Sequence, residues 1–196
     1  MDYDWFSGIY DWPKNGIKQN ELVIVQVDVT VNPHGYIEGC EGHVRAGIPQ
    51  LGPYVCGRLR MRGEFDPARD GENRRTYGIY RTAVVLWNGD SKDFPKKPGV
   101  TDFTIVNSGG AKTPIGDSLV IQFAVDTQGK PSMNTCSAVR TLGYGLNRTK
   151  QSVDPALVAQ ACAELSLKMK LEPARNPSGR AVPSVQSANV EVISRK

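Results

Sequence analysis

"VIVQVDVTV", residues Val23–Val31, decides the fold. Val23, Val25, Val27, Val29 and Val31 alternate with Ile24, Gln26, Asp28 and Thr30. Strict period two along the whole stretch predicts a strand with one face buried. A second stretch, "LVIQFAVD" (Leu119–Asp126), has the same rhythm, with Leu119, Ile121, Phe123 and Val125 on one face. Laid over the first, it places Gln122 on Gln26, and the same offset carries Cys136 onto Cys40. Between strand and cysteine stand Asn32-Pro33-His34-Gly35 in one half and Gln128-Gly129-Lys130-Pro131 in the other, each the signal of a hairpin bend.

Working outward, each half continues with a helix. Asp154-Pro155 reads as an N-cap followed by proline at the first helical position. Leu157, Val158, Ala161, Cys162, Leu165 and Met169 then recur at helical spacing and form one apolar face. Leu51, Val55, Cys56 and Leu59 predict a shorter, poorer helix carrying Gly52, Pro53 and Gly57. A loop around Thr141–Gln151 lengthens the second half. After each helix comes a Pro-Ala-Arg hexapeptide, "FDPARD" (Phe65–Asp70) and "LEPARN" (Leu171–Asn176), then a final strand, Tyr77–Trp87 or Val185–Ile193. The expected fold is therefore α+β: two tandem β-β-α-β units, each a three-stranded antiparallel sheet packed on a helix. The first unit spans 1–90 and the second 100–196. Residues 91–99, inside the Gly/Pro/Lys-rich run from Asn88, form the linker. Pro67 and Pro173 direct the chain from helix to strand, and Arg69 and Arg175 are expected to bond helix C-terminal carbonyls. The rival reading for these arginines is a grip on an anionic ligand.

Composition bounds the rest. The chain has 196 residues, 39% hydrophobic and 22% charged, enough for one domain or two small ones. Its net charge of +4 is spread along the chain without basic runs, so no nucleic-acid partner is expected. No apolar stretch is long enough to span a membrane, and residues 1–16 read as lacking a secretory signal.

The run from Asp28 to Trp87 resembles the C-terminal domain of the TonB energy transducers, in its cysteine-containing branch. The resemblance is carried by Gly35, Cys40, Cys56, the segment Arg62–Asp70 and Trp87, with Trp12-Pro13 standing where the family has Tyr-Pro. A weaker copy runs from Ser118 to Ile193. The resemblance implies a non-enzymatic periplasmic module that binds an extended protein or peptide partner, such as an outer-membrane receptor segment, by adding it to an edge strand. Carried over, the binding residues are Trp12, Pro13, Ile79, Arg81, Ala83 and Val85, with Gln186, Ala188 and Val190 in the second copy. The module would be a monomer or homodimer. The alternative is a structural or inhibitor-like soluble scaffold with no peptide-binding edge.

Catalytic and metal chemistry find little to build on. The two histidines are His34, in a turn, and His43. A Cys56–His43 pair has no third group, and Cys40, His43 and Cys56 lack a fourth zinc ligand. No cofactor, metal or enzymatic activity is expected. "NSGGAKTP" (Asn107–Pro114) departs from phosphate-loop spacing. Four cysteines allow three pairings. If helix packs on sheet through the apolar faces, the strand and helix cysteines of each unit meet, giving Cys40–Cys56 and Cys136–Cys162; buried free thiols are the alternative. Disulfides in turn imply an oxidising compartment.

Overall fold

The computed structural model describes residues 17–63, 65–90, 100–107, 118–139 and 153–194. They fall into two compact units, Met1–Ala68 with Arg75–Val100, and Arg69–Arg74 with Thr101–Lys196. In the first, strands β1 (Leu22–Val31) and β2 (Ile37–Ala46) form a hairpin, followed by helix α1 (Leu51–Arg62), a short β3 (Ala68–Arg69) and β4 (Arg75–Trp87). β1 is central, antiparallel to β2 through Gln26↔His43 and to β4 through Gln26↔Ala83. In the second unit the order is β5 (Phe103–Asn107), β6 (Ser118–Val125), β7 (Pro131–Val139), helix α2 (Pro155–Lys168), β8 (Ala174–Arg175), β9 (Ala181–Val182) and β10 (Ser184–Ser194). β6 is antiparallel to both β7 and β10, while β5 runs parallel to β10.

The expectation of two three-stranded antiparallel β-β-α-β units is corrected here. The fold is mostly β, with 49% of the described residues in strands and 18% in helix. Eight of the ten described strands belong to mixed sheet structure, and β8 with β9 makes a separate two-stranded ribbon. Strand β5 has the clearest physical reason for having escaped the sequence reading. "FTIVN" buries Phe103 and Ile105 and turns Thr104 and Val106 outward, but it is only five residues long and its ladder partner is remote in sequence. The linker residues 91–99 lie outside the described residues, as does the loop around Thr141–Gln151.

The period-two reading of β1 holds residue by residue. Val23, Val25, Val27, Val29 and Val31 are all fully buried and pack on Leu51, Val55 and Leu59 of α1. Each valine contributes about 1.5–3 kcal/mol on burial, set against the chain entropy of ordering the strand. In the second unit Leu119, Ile121, Phe123 and Val125 pack with Leu157, Ala161 and Leu165 of α2. The predicted cap of α2 forms: Asp154 Oδ1 accepts from the Ala156 N–H at 2.9 Å, with Pro155 opening the helix.

The Pro-Ala-Arg segments have a structural task. Gly35, at φ +90°, lies so close to the Phe65 carbonyl that a Cβ there would sit 2.6 Å from its oxygen; Gly129, at φ +82°, is as close to the Leu171 carbonyl, at 2.7 Å. Only glycine combines that left-handed φ with so near a neighbour. The final strand holds each segment from the other side. The Tyr80 hydroxyl donates to the Asp66 carbonyl at 2.9 Å, and Gln186 Nε2 donates to the Glu172 carbonyl at 2.7 Å. Burial, with a smaller contribution from Asp66, holds the Tyr80 phenol above its ordinary pKa. The arginines close hairpin turns rather than helix ends: Arg69 Nη1 donates to the Asn73 carbonyl and Arg175 Nη1 to the Gly179 carbonyl, at 2.9 and 2.8 Å. That corrects the helix-capping expectation and leaves the anion grip without a basis in the geometry.

Candidate functional site

The cysteines define where each helix meets its sheet. On β2, Cys40, Gly42 and Val44 share one face by strand alternation, and on β7 Cys136 and Ala138 do. Cys40 is bonded to Cys56 with Cα atoms 5.6 Å apart, and Cys136 to Cys162 with Cα atoms 6.0 Å apart. Every cysteine is thus in a disulfide.

Beside these bridges the two units part ways. In the first, Gly42 of β2 and Gly52 of α1 face each other across the contact. A Cβ on Gly42 would lie 2.6 Å from the Gly52 carbonyl oxygen and 2.9 Å from its Cα, so backbone meets backbone. Two residues along the strand from Cys136, and one helical turn before Cys162, the second unit carries Ala138 and Val158 instead. Side chains at these two positions leave no room for the backbone-to-backbone contact of the first unit. What results is an open groove of about 580 Å³, lined by Met133, Cys136, Ala138, Val153, Val158, Ala159, Cys162 and Ala163 among others. Its lining side chains are apolar apart from Ser137, and the Cys136–Cys162 bridge forms part of its wall.

The groove runs along β7, which pairs with β6 alone among the described residues. A register shift opposite Gln122/Ala124 interrupts that pairing, and there the Ala124 N–H donates to Thr135 Oγ1 at 2.9 Å. Such an irregularity twists an edge strand and limits pairing to the regular run beyond it, here Ser137–Val139. At the other end of the hairpin, Asp126 Oδ1 accepts from the N–H groups of Lys130 and Gln128, at 2.9 and 2.8 Å. Those bonds hold the Asp126 carboxyl below its ordinary pKa.

The residues expected to bind a partner are scattered by comparison. Gln186, Ala188 and Val190 point into the core and are at most 1% exposed. Val190 is also flanked on both sides, by Leu119 of β6 and Phe103 of β5, so that part of the last strand has no open edge. Ile79, Arg81, Ala83 and Val85 lie partly buried on β4, and Arg81 Nε is paired with Asp28 Oδ2 at 3.3 Å. Trp12 and Pro13 lie outside the described residues. His43 is exposed on β2, 3.8 Å from Glu41, and alternation puts it on the face opposite Cys40. His34 is in the β1–β2 turn, its N–H donating to Asn32 Oδ1. With Cys56 in a disulfide, neither the Cys–His pair nor the three-ligand zinc set is assembled. No cluster of three or more metal-ligating side chains occurs among the described residues.

The groove escaped notice because Gly52 read only as a weak point of the first helix and was not matched with Gly42 on the strand. Its signal is the substitution of Ala138 and Val158 at the positions matching Gly42 and Gly52. No family model, curated protein or solved structure matches the chain. The resemblance to the transducer domain thus rests on the sequence motifs alone. Two disulfides indicate an oxidising environment, extracellular or periplasmic. No helix among the described residues is long and apolar enough to cross a membrane.

Proposed function

We propose that the chain is a non-enzymatic periplasmic binding module that takes up an extended peptide, such as an outer-membrane receptor segment, by strand addition. The observation that carries this reading is the apolar groove between α2 and β7, beside a strand paired on one side only among the described residues. A peptide laid along Ser137–Val139 exchanges backbone hydrogen bonds with the edge, and every second side chain drops toward the groove. The lining sets its chemistry: small or medium apolar side chains at alternate positions, since Ala138, Ala159 and Ala163 leave room and only Ser137 offers a side-chain hydrogen bond. The strand-addition mode comes from the transducer resemblance. The edge differs from the one that resemblance implies, because Val190 of β10 already has neighbours on both sides. That closed edge favours the second reading, a scaffold that binds no peptide.

Titration of a fluorescently labelled, receptor-derived extended peptide into the oxidised protein separates the two. Strand addition predicts saturable anisotropy, amide shifts confined to Ser137–Val139 and the facing turn of α2, and weaker binding by Met133→Glu, an exposed position on the groove rim. Absence of saturable binding, or shifts elsewhere with Met133→Glu unaffected, establishes the scaffold reading.

A further inference from the structure

We propose that Cys136–Cys162 is a thiol-exchange site: a disulfide that an external dithiol reaches through the groove and opens while Cys40–Cys56 stays closed. The two bridges occupy matching places, strand to helix, but differ in what surrounds them. Next to Cys40 and Cys56 the Gly42–Gly52 contact brings two backbones together and closes the strand–helix gap on that side of the bridge, although Cys40 itself is half-buried, as Cys136 is. Next to Cys136 and Cys162 the groove is open, and both cysteines line it. Exchange requires a thiolate to approach a sulfur directly, so access governs which bridge reacts.

Cys136, on the edge strand, is the less buried partner, while Cys162 is 8% exposed on the core side of α2. Attack therefore falls on Cys136 Sγ. The incoming thiolate forms a new S–S bond to it, the Cys136–Cys162 bond breaks, and Cys162 leaves as a thiolate that takes up a proton. The second thiol of the reagent, as its thiolate, then attacks its own first sulfur and displaces Cys136, which is protonated in turn. The balance is two electrons and two protons from the dithiol, which ends as its own disulfide, to the protein, which ends with two thiols. The class of partner implied is a dithiol, either a small molecule or a reducing protein with a narrow active-site edge. The consequence lies in the groove: with Ala138 and Val158 in place of glycines, α2 and β7 lose their only covalent tie next to the proposed peptide site. The exchange itself does not depend on that peptide reading.

Limited reduction of the folded chain with dithiothreitol, quenched by iodoacetamide and mapped by mass spectrometry, tests it. The expected result is label on Cys136 and Cys162 at least ten times faster than on Cys40 and Cys56, with the difference abolished in denaturant. Ala159→Phe, which places a ring in the groove at an exposed helical position, is expected to slow labelling of Cys136 and Cys162 alone. Equal rates in the folded protein, or faster labelling of Cys40 and Cys56, overturn the proposal. So does an unchanged Cys136/Cys162 rate in a folded Ala159→Phe protein. Because the readout is chemical, these outcomes are independent of whether any peptide binds.

Discussion

Two glycines in one helix are expected to respond in opposite directions to the same substitution. Gly52 and Gly57 both belong to α1. A methyl on Gly57 meets nothing within 4 Å, so Gly57→Ala should gain the intrinsic helix preference of alanine, about 0.8–1 kcal/mol. A methyl on Gly52 is driven into the Gly42 backbone, with the carbonyl carbon 3.0 Å away and the oxygen nearer still. Neither neighbour is a side chain that can rotate aside, so strand and helix must separate, and overpacking of this kind costs about 1–3 kcal/mol. After subtracting the propensity gain, Gly52→Ala should come out neutral to about 2 kcal/mol less stable, which places the two variants about 1–3 kcal/mol apart. Gly42→Ala has no helix gain to offset the clash and should lose about 1–3 kcal/mol. Urea unfolding of the oxidised protein, followed by tryptophan fluorescence, reads the correct half: Trp87 is in β4, and the second unit contains no tryptophan. Equal stabilisation by Gly52→Ala and Gly57→Ala would mean that α1 does not rest on the β2 backbone. The explanation of the groove by Ala138 and Val158 would fall with it.

Two further outcomes follow from the same contacts. Tyr80→Phe removes the hydroxyl that donates to the Asp66 carbonyl and should cost about 0.5–1.5 kcal/mol near neutral pH. Because burial raises the Tyr80 pKa in the folded state, its contribution is complete below the ordinary phenol value of about 10 and is lost as pH rises through the higher folded value. Alkaline unfolding monitored by circular dichroism should therefore be less steep above about pH 10 in Tyr80→Phe, and an unchanged profile would count against the buried phenol. Replacing both members of a bridge by alanine releases a loop of sequence separation 16 for Cys40–Cys56 and 26 for Cys136–Cys162. Under the chain-entropy model the losses are about 3 and about 3.5 kcal/mol, and denaturant midpoints that do not move would refute the cross-links as stabilising elements.

What the sequence disclosed, and what it withheld, follows from how local each cause is. The alternation of β1 and β6 and the Asp154-Pro155 cap are set within a few residues, and each is found where the pattern puts it. The cysteine pairing required one longer step, that a strand face and a helix face meet, and the apolar spacing carried that too. Strand β5 failed the test because five residues in a parallel ladder take their conformation from a partner far along the chain. The arginines of the Pro-Ala-Arg segments were misassigned for a different reason. Asp70 and Asn176 each accept a backbone N–H four residues on, from Arg74 and Arg180, so the chain turns immediately after the motif. The arginine is thereby brought to the carbonyl of its own turn, and a polar Asx residue followed by Asn73 or Gly179 was the available sign. The groove required comparison at two positions at once. Either glycine alone is an ordinary loose spot in a strand or a helix. Only Gly42 together with Gly52 brings two backbones into contact, and only Ala138 together with Val158 keeps them apart. A site created by the failure of two elements to touch has no residue of its own to advertise it, which is why the residues carried over from the transducer resemblance fell on β4 and on the buried face of β10 instead.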